Sequence, residues 1–542
     1  MPAVQLPYSF PTGPNESAEW PGSDLGKGNI ITRIKGRTSL HDKTLDRDPT
    51  ARDALLTWAE QTVRDLGGAI LTHDAVVHGV RVRLLTNSHH QHDFFVRNWY
   101  GPDDWEASSG QLAPTEPHLL AYALIGMTGR PEAAYYSRER NFVLFTNSSY
   151  YGQLKSWVLG AVGRMLSEDR GIHSIHGACV ELEGKGILYV APTGTGKSTS
   201  SYGLMALPGS RFHSDDWVYV RYALPTRGGT LVSPTSLPGP RGTLHGYQAV
   251  HLLLNGQTRS GRYAGYDLLG TPVEGTTDEL DLEAPLQAYA YTSERWFYLR
   301  SNLVESFAPA APVLLNSVFE NVPDVSPAYL EEHAAALLRL EEELRATGYP
   351  IETGHAGTRA HLARMIAFDN ARAMLDTTRV FGVDRVFANP LHPTRLSVVF
   401  LLERDFATDR VIDALDEPTF LGALLDGTTP TGTHETAYNA YRAVDDTVER
   451  AFIDSLGGTG NVLGSAFLRR RGDAPATLAA EMVLFSALHR ATHCYALNTI
   501  LQRDPAVNGR KEAVHRTLAL IAAAARGTIT RSATISDYQA FI

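Results

Sequence analysis

Apolar residues recur with two different periods along the chain, and these periods predict where helices and strands lie. A return every three or four residues is typical of amphipathic helices. This spacing predicts helices over Asp53–Leu66, Tyr151–Glu168, Ser200–Leu207, Pro327–Thr347, Arg364–Leu375, Val411–Leu425, Glu435–Leu456 and Leu478–Ala525, the last one broken near Pro505. Short apolar or alternating runs are typical of strands. They cover Ala75–Leu84, His92–Tyr100, Ala178–Leu182, Gly186–Ala191, Phe212–Val220, Ser293–Arg300 and Leu396–Leu402.

The order of these elements divides the chain, whose 542 residues are too many for one ordinary core. Residues 1–28 are rich in Pro, Gly, Ser and Asn, which predicts an irregular arm. We expect an N-terminal α/β domain over residues 29–150 and a central domain over residues 151–405. Residues 406–542 are predicted to form a mainly helical region that covers the sheet of the central domain.

The central domain contains a glycine loop between a predicted strand, Gly186–Ala191, and a predicted helix. Gly194 and Gly196 let successive backbone N–H groups turn toward an anion, and the start of the helix adds further donors. Lys197 is placed to contact the β- and γ-phosphates of a nucleotide, and the Ser198 hydroxyl to bind Mg²⁺. The predicted nucleotide-binding residues are Pro192, Thr193, Gly194, Thr195, Gly196, Lys197, Ser198 and Thr199. Ala191 stands where the usual phosphate-loop pattern has its first glycine. Alanine is acceptable there if residue 191 still has a strand-like conformation.

Two acids and a histidine flank this loop in the sequence. Asp215 and Asp216 lie in the predicted strand Phe212–Val220, where adjacent side chains point to opposite faces, so the two carboxylates are expected to have different roles. His176 stands at the head of Ala178–Leu182, and a hairpin at Glu183–Gly186 would return it to the loop. A core histidine with structural hydrogen bonds remains the alternative for His176.

These residues together resemble the HPr kinase/phosphorylase and phosphoenolpyruvate carboxykinase superfamily. The matching positions are His176-Gly177, Ala191 to Ser198 and Asp215-Asp216, within about fifty residues, and their spacing is closer to HPr kinase. The resemblance implies a mixed-sheet P-loop kinase core within an α/β fold. Thr199 stands where HPr kinase has Glu, a departure that concerns phosphorolysis rather than the nucleotide site.

The resemblance implies an ATP-dependent kinase that transfers the γ-phosphoryl group to a hydroxyl of a small molecule or of a protein or peptide serine. Asp215 would be the base, Asp216 and Ser198 would bind Mg²⁺ (or Mn²⁺), and His176 and Lys197 would complete the catalytic group. Arg300 is a further candidate, because an arginine stabilises charge on a transferring phosphoryl group. For Arg295 and Arg300, a surface salt bridge to Glu294 or Glu305 is the alternative.

Two other functions stay open. A phosphoenolpyruvate carboxykinase would suit the length of the chain and its separate N-terminal domain. A nucleotide-gated regulatory protein would use ATP as a switch, without a phosphoryl acceptor. Release of CO₂ from oxaloacetate distinguishes the first of these from a kinase.

Composition narrows the class of partner. The net charge is −10, from 49 basic and 59 acidic residues, which argues against a broad nucleic-acid-binding surface. Cys179 and Cys494 are the only cysteines, so the sequence predicts no disulfide framework and fits a cytoplasmic protein. The sequence contains no run of about 18 apolar residues, so it predicts no membrane span. The expected partners are a nucleotide and a hydroxyl acceptor, and assembly into a homo-oligomer is compatible with the sequence. His89, His90 and His92 lack a metal-binding pattern, and we expect a solvated turn there.

Overall fold

A computed structural model describes residues 43–148, 151–191, 195–300, 372–427 and 446–542, and short pieces at 303, 310, 313, 319–320, 327–332, 334–346 and 362. The predicted arm, residues 1–28, lies outside the described residues. So do Pro192, Thr193 and Gly194 of the predicted loop, and residues 364–371 and 435–445 of two predicted helices.

Strands and helices both occur throughout the described part of the chain. Up to residue 170 they are β1 (Lys43–Thr44), α1 (Pro49–Leu66), β2 (Leu71–Val77), β3 (Val80–Thr86), α2 (His89–Asn98), α3 (Pro102–Ser109), β4 (Leu119–Leu124), β5 (Ala133–Ser137), β6 (Phe142–Thr146) and α4 (Tyr151–Arg170). From residue 173 to 300 they are β7 (His173–Ile175), β8 (Gly177–Leu182), β9 (Lys185–Val190), α5 (Lys197–Leu204), β10 (Ser210–Ser214), β11 (Val218–Pro225), β12 (Leu231–Gly239), β13 (Gly242–His245), α6 (Tyr247–Asn255), β14 (Arg262–Asp267), β15 (Pro272–Thr276), β16 (Gln287–Tyr291) and β17 (Phe297–Arg300).

The remaining elements complete the α/β pattern. They are β18 (Phe319–Glu320), α7 (Pro327–Glu332), α8 (Ala334–Ala346), β19 (Arg372–Leu375), α9 (Thr377–Phe381), β20 (Thr394–Glu403), β21 (Arg410–Ala414), α10 (Glu417–Asp426), α11 (Asp446–Leu456), α12 (Gly460–Arg470), α13 (Ala476–Ala491), β22 (His493–Asn498), α14 (Gly509–Arg526) and β23 (Ala533–Thr534). The predicted α/β class is therefore confirmed, with sheets that mix parallel and antiparallel pairs.

The chain forms two compact units. The first comprises Met1–Asp104, Ala113–Ala161 and Glu294–Val383, and the second comprises Trp105–Leu112, Val162–Ser293 and Asp384–Ile542. The second unit thus contains the whole of the predicted C-terminal region together with the predicted loop. The domain boundaries expected from the sequence stay a prediction.

The first unit contains a mixed sheet with the strand order β1-β5-β6-β4-β3-β2. Its centre is parallel, because β4 pairs in parallel with both β3 and β6. Ala59 of α1 is buried in one cluster with Tyr122 and Leu144 from this sheet. Burial of apolar surface of this kind is the main stabilising contribution to such a unit.

A buried ion pair lies in the same unit. Glu294 Oε1 accepts from Lys155 Nζ at 2.8 Å and from Asn98 Nδ2 at 2.7 Å, and both charged side chains are 1% exposed. The Tyr151 hydroxyl donates to Asn98 Oδ1 at 2.7 Å. Each charge is therefore compensated by the other, which a buried ion requires.

The second unit is organised around a larger mixed sheet. Its main path is β10-β8-β9-β20-β16-β11-β12-β14-β15, and β22 pairs with β20 outside this path. Three adjacent strands, β9, β20 and β22, are parallel, whereas the other pairs of this sheet are antiparallel. Leu188 and Val399 from the strands are buried together with Phe420 and Phe485 from α10 and α13. The helices of the C-terminal region therefore do pack on this sheet, as the sequence predicts.

Several local predictions are wrong. The predicted strand His92–Tyr100 lies mostly in helix α2. His89, His90 and His92 occupy the first turn of that helix rather than a solvated turn. Ala75–Leu84 spans a hairpin of β2 and β3, because His78 and Gly79 both adopt a positive φ. Predicted helices at Val411–Leu425 and Leu478–Ala525 each contain a strand, β21 and β22 respectively. The end of the predicted helix Arg364–Leu375 is strand β19.

Among the helices that the structure describes, none combines the length and the apolar composition that a membrane span requires.

The buried ion pair of the first unit generates a stability prediction. Replacing Lys155 with Met leaves the Glu294 carboxylate buried without its counter-ion, which should lower the free energy of unfolding by about 3–5 kcal/mol. Urea unfolding of the full chain measures the loss. The double variant Lys155→Met/Glu294→Leu, which removes both charges, should recover part of it; an additive loss from the two substitutions would contradict the pairing.

Candidate functional site

The candidate site begins at the close hairpin of β8 and β9. His176 lies directly before β8, between the ends of β7 and β8, and is buried. A Cβ on the following residue, Gly177, would lie 2.7 Å from the carbonyl oxygen of Tyr189, so only glycine allows this approach. Since β9 leads toward Lys197, the hairpin brings His176 beside the start of helix α5.

Helix α5 begins directly after the loop. Gly196 is its N-cap with φ of 100° and ψ of 16°, a conformation that strains residues with a Cβ. The first helical hydrogen bond runs from Ser200 N to Gly196 O at 2.8 Å. The helix therefore starts at Lys197, three residues before the predicted start, and Lys197 and Ser198 occupy its first turn.

The predicted strand around the two acids is interrupted. Strand β10 ends at Ser214 and β11 begins at Val218, and Asp216 adopts a positive φ of 68°. Asp215 and Asp216 are therefore not adjacent residues of one strand, and the expected alternation of faces is wrong. The turn itself separates the two carboxylates.

Asp215 points into the protein toward the start of α5. It is 2% exposed, and its Oδ1 lies 3.5 Å from the Ser198 hydroxyl, which donates to it. The same oxygen accepts from the backbone N–H of Asp216 at 2.8 Å. Burial raises the pKa of the Asp215 carboxyl, and the positive charge of Lys197 opposes that rise.

Asp216 instead faces Lys197 and His176. Its Oδ1 lies 3.2 Å from His176 Nε2 and 3.9 Å from Lys197 Nζ, and its side chain is 33% exposed. Lys197 Nζ is also 3.0 Å from His176 Nε2. One imidazole nitrogen carries either a proton or a lone pair, so Nε2 either donates to Asp216 or accepts from Lys197. The three side chains therefore have two alternative hydrogen-bonding arrangements.

Packing fixes the surroundings of these side chains. The ring of His176 lies 5.7 Å from that of Trp217, whose indole N–H donates to the Ser174 hydroxyl. On the other side of the acids, His213 is buried; Nδ1 lies 2.9 Å from the Ser214 hydroxyl and Nε2 lies 3.1 Å from the Ala290 carbonyl oxygen. Burial lowers the pKa of His213 to about 3, so this histidine is neutral and structural at physiological pH.

The carboxyl ends of the three parallel strands meet beside the loop. The Thr499 hydroxyl, just after β22, lies 3.4 Å from the carbonyl oxygen of Thr195. Arg404, just after β20, donates from Nε to the same hydroxyl at 3.3 Å. Open α/β sheets bind ligands at this edge. The sequence analysis does not identify Thr499, because it places β22 within the predicted helix Leu478–Ala525.

The arginine candidates lie in the first unit. Arg295 pairs with Asp104 at 2.7 Å, so the alternative of a surface salt bridge is correct for this residue, although with a different partner. Arg300 is the last residue of β17, and its predicted contact with a phosphoryl group stays a prediction.

The oxygen donors beside the loop suit Mg²⁺. The described residues contain no group of three His, Cys, Asp or Glu side chains that could hold a metal ion by themselves. Mg²⁺ commonly uses one or two protein oxygens and completes its shell with water and phosphate oxygens. The Ser198 hydroxyl and the buried Asp215 carboxylate are two such oxygens, so these residues fit the ion.

Comparison of the sequence with protein-family models finds no match, and comparison with curated proteins finds none either.

The raised pKa of Asp215 predicts how stability depends on pH. A pKa above the unfolded value means that ionised Asp215 lowers stability at neutral pH, and this cost vanishes as pH falls below the unfolded pKa. Asp215→Asn should therefore raise the melting temperature of the nucleotide-free protein at pH 7–8, and less so near pH 4. Asp216→Asn, which removes a charge from a more exposed side chain, is the control. An effect of Asp215→Asn that is equal at both pH values would contradict the prediction.

Proposed function

We propose that the protein is an ATP-dependent phosphotransferase that transfers the γ-phosphoryl group to a hydroxyl. One observation carries the proposal: five residues from three separate segments of the sequence meet at the start of α5. Lys197, Asp216 and His176 lie within hydrogen-bonding or ion-pair distance of one another, and the Ser198 hydroxyl contacts the Asp215 carboxylate. Phosphoryl transfer needs positioning, charge neutralisation and a base, and these residues supply each of them.

Lys197 and the backbone at the start of α5 would bind the phosphates of the nucleotide. The side chain of Lys197 is 12% exposed, and Asp216 and His176 hold its ammonium group beside the helix start. Ser198 and Asp215 would hold Mg²⁺, which neutralises charge on the β- and γ-phosphates when it is bound. The contact between these two side chains supports a nucleotide site.

The contacts favour a different division of roles between the two acids from the one that the resemblance implies. A general base must reach the acceptor hydroxyl. Asp215 is 2% exposed and touches Ser198, whereas the side chain of Asp216 is 33% exposed and touches His176. We therefore assign metal binding to Asp215 and the base to Asp216, with His176 as its positioning residue.

The two alternatives differ in what they require. A carboxykinase must also bind and decarboxylate an oxoacid, and nucleotide-dependent release of CO₂ from oxaloacetate would identify it. A nucleotide-gated regulatory protein needs no base, so the partly exposed Asp216 beside His176 favours a transferase. A screen of small molecules, proteins and peptides for acceptor-dependent ATP consumption would identify the acceptor hydroxyl.

The phosphate contact is tested through Lys197. Lys197→Ala removes one preorganised charge contact and should weaken binding of ATP with Mg²⁺, or its turnover, by about 10²-fold. Isothermal titration measures the affinity. Lys185→Ala is the control: Lys185 lies on the hairpin of the same unit, and its Nζ donates to the carbonyl oxygen of Ala525. Equal affinities of the two variants for ATP would overturn the nucleotide site.

The division of roles between the acids is tested with Mg²⁺ titrations of ATP turnover. Asp215→Asn should raise the Mg²⁺ concentration needed for half-maximal rate. Asp216→Asn should leave that concentration unchanged and lower the rate by about 10²–10⁴-fold, the range for loss of a positioned proton acceptor. Asparagine tolerates the positive φ at position 216, so the backbone is preserved. The opposite pattern would return the base to Asp215.

A further inference from the structure

A second concave site lies in the second unit, away from the residues assigned to phosphoryl transfer. Helix α6, the end of α12 with the residues after it, and helix α13 enclose a cavity of about 660 Å³. Cavities that bind small organic molecules have volumes of about 300–1,000 Å³ and mostly apolar walls with a few polar groups. The volume therefore fits one small organic ligand.

Part of the wall of this cavity is apolar. Leu254 of α6, Phe467 of α12 and Met482 of α13 contribute to it. Phe467 and Met482 belong to the buried core of the unit, so this wall is anchored on packed side chains. A rigid apolar wall of this kind favours a flat or aliphatic ligand body, because its contacts exist before the ligand arrives.

The charged residues that line the cavity are all basic. Arg469, Arg471 and Arg490 contribute guanidinium groups and His251 an imidazole, and no Asp or Glu lines it. The absence of acidic residues from this lining contrasts with the whole protein, whose net charge is −10. Burial lowers the pKa of His251, and the positive charges of Arg471 and Arg490 lower that pKa further. Arginine therefore supplies all the charge among the residues that line this cavity.

The three arginines differ in their partners. Arg490 donates to the carbonyl oxygen of Leu254 at 2.6 Å and lies 3.7 Å from the Glu417 carboxylate. Arg469 and Arg471 are exposed, and within the described part of the chain their side chains have neither a hydrogen bond nor an ion pair. A guanidinium group binds carboxylate, sulfonate or phosphate oxygens through two parallel N–H donors. Two such groups are thus available at an apolar wall.

We propose that this cavity binds a small organic anion with an apolar body, whose anionic group lies against Arg469 and Arg471. The apolar wall takes the body of the ligand and the two arginines take its charge. The site is independent of the nucleotide site and does not depend on the proposed phosphotransferase activity. Its charge pattern disfavours cationic ligands.

A matched pair of fluorescent probes tests the proposal on the full chain. 1-Anilinonaphthalene-8-sulfonate carries an anionic sulfonate, and N-phenyl-1-naphthylamine has the same rings without it. The sulfonate should bind about tenfold more tightly, since a hydrogen bond to a charged group typically contributes this order of affinity. Its affinity should fall with rising salt, whereas that of the neutral probe should not.

Variants then locate the binding. Arg469→Gln/Arg471→Gln should abolish the preference for the sulfonate and keep the affinity for the neutral probe. Arg227→Gln/Arg241→Gln, which removes two exposed arginines outside the cavity, is the control and should change neither. Ala479→Trp, which fills the cavity from α13, should weaken both probes. Melting curves verify that each variant is folded.

Several possible results of these titrations would overturn the proposal. A sulfonate preference that survives Arg469→Gln/Arg471→Gln would overturn the proposal, as would an equal loss in the control variant. Equal affinity of the two probes for the unmodified protein would show an apolar cavity without a role for the arginines, and would also overturn it. Added ATP with Mg²⁺ should leave the sulfonate affinity unchanged, and displacement would contradict the independence of the two sites.

Discussion

The backbone conformation of Asp216 decides how the candidate site is built. In a continuous strand, two neighbouring carboxylates would face opposite sides of the sheet. The positive φ of 68° at Asp216 breaks the strand instead. Asp215 turns inward to Ser198, and its own carboxylate accepts from the backbone N–H of Asp216, which holds the turn. Aspartate is one of the few residues other than glycine that adopts this conformation readily. The turn therefore makes one carboxylate buried and the other accessible.

The sequence predicted the parts of the site that depend on local signals. Two glycines before Lys197 and the helical spacing after it identify a loop followed by a helix, and Glu183–Gly186 identifies a hairpin; α5 and the β8–β9 hairpin confirm both. The break at Asp215–Trp217 left a weaker signal: neither Gly nor Pro interrupts the run from Phe212 to Val220, and only the short polar cluster Ser214-Asp215-Asp216 indicates a turn. Its conformation depends on contacts with His176, Lys197 and Ser198, which are distant in the sequence.

The errors in the fold have a similar origin. β22 lies in an apolar stretch between two helices, and its pairing with β20 and β21 decides its conformation. Short apolar runs fit a buried strand and a buried helix equally well. Because that strand was missed, so was Thr499, which contacts the loop at Thr195. Three parallel strands thus end beside the loop, although the sequence revealed two of them.

In the proposed kinase, the position of Lys197 links nucleotide binding to the preparation of Asp216. In this structure Lys197 Nζ lies 3.0 Å from His176 Nε2 and 3.9 Å from Asp216 Oδ1. A phosphate that binds the ammonium group replaces these partners. The free energy gained on binding is therefore the difference between the new contact of Lys197 and the contacts that it gives up. His176 Nε2 is then released from Lys197 and can carry a proton toward Asp216, 3.2 Å away. That hydrogen bond fixes the orientation of the accessible carboxylate, so this geometry orders the proposed base only when the phosphates are in place.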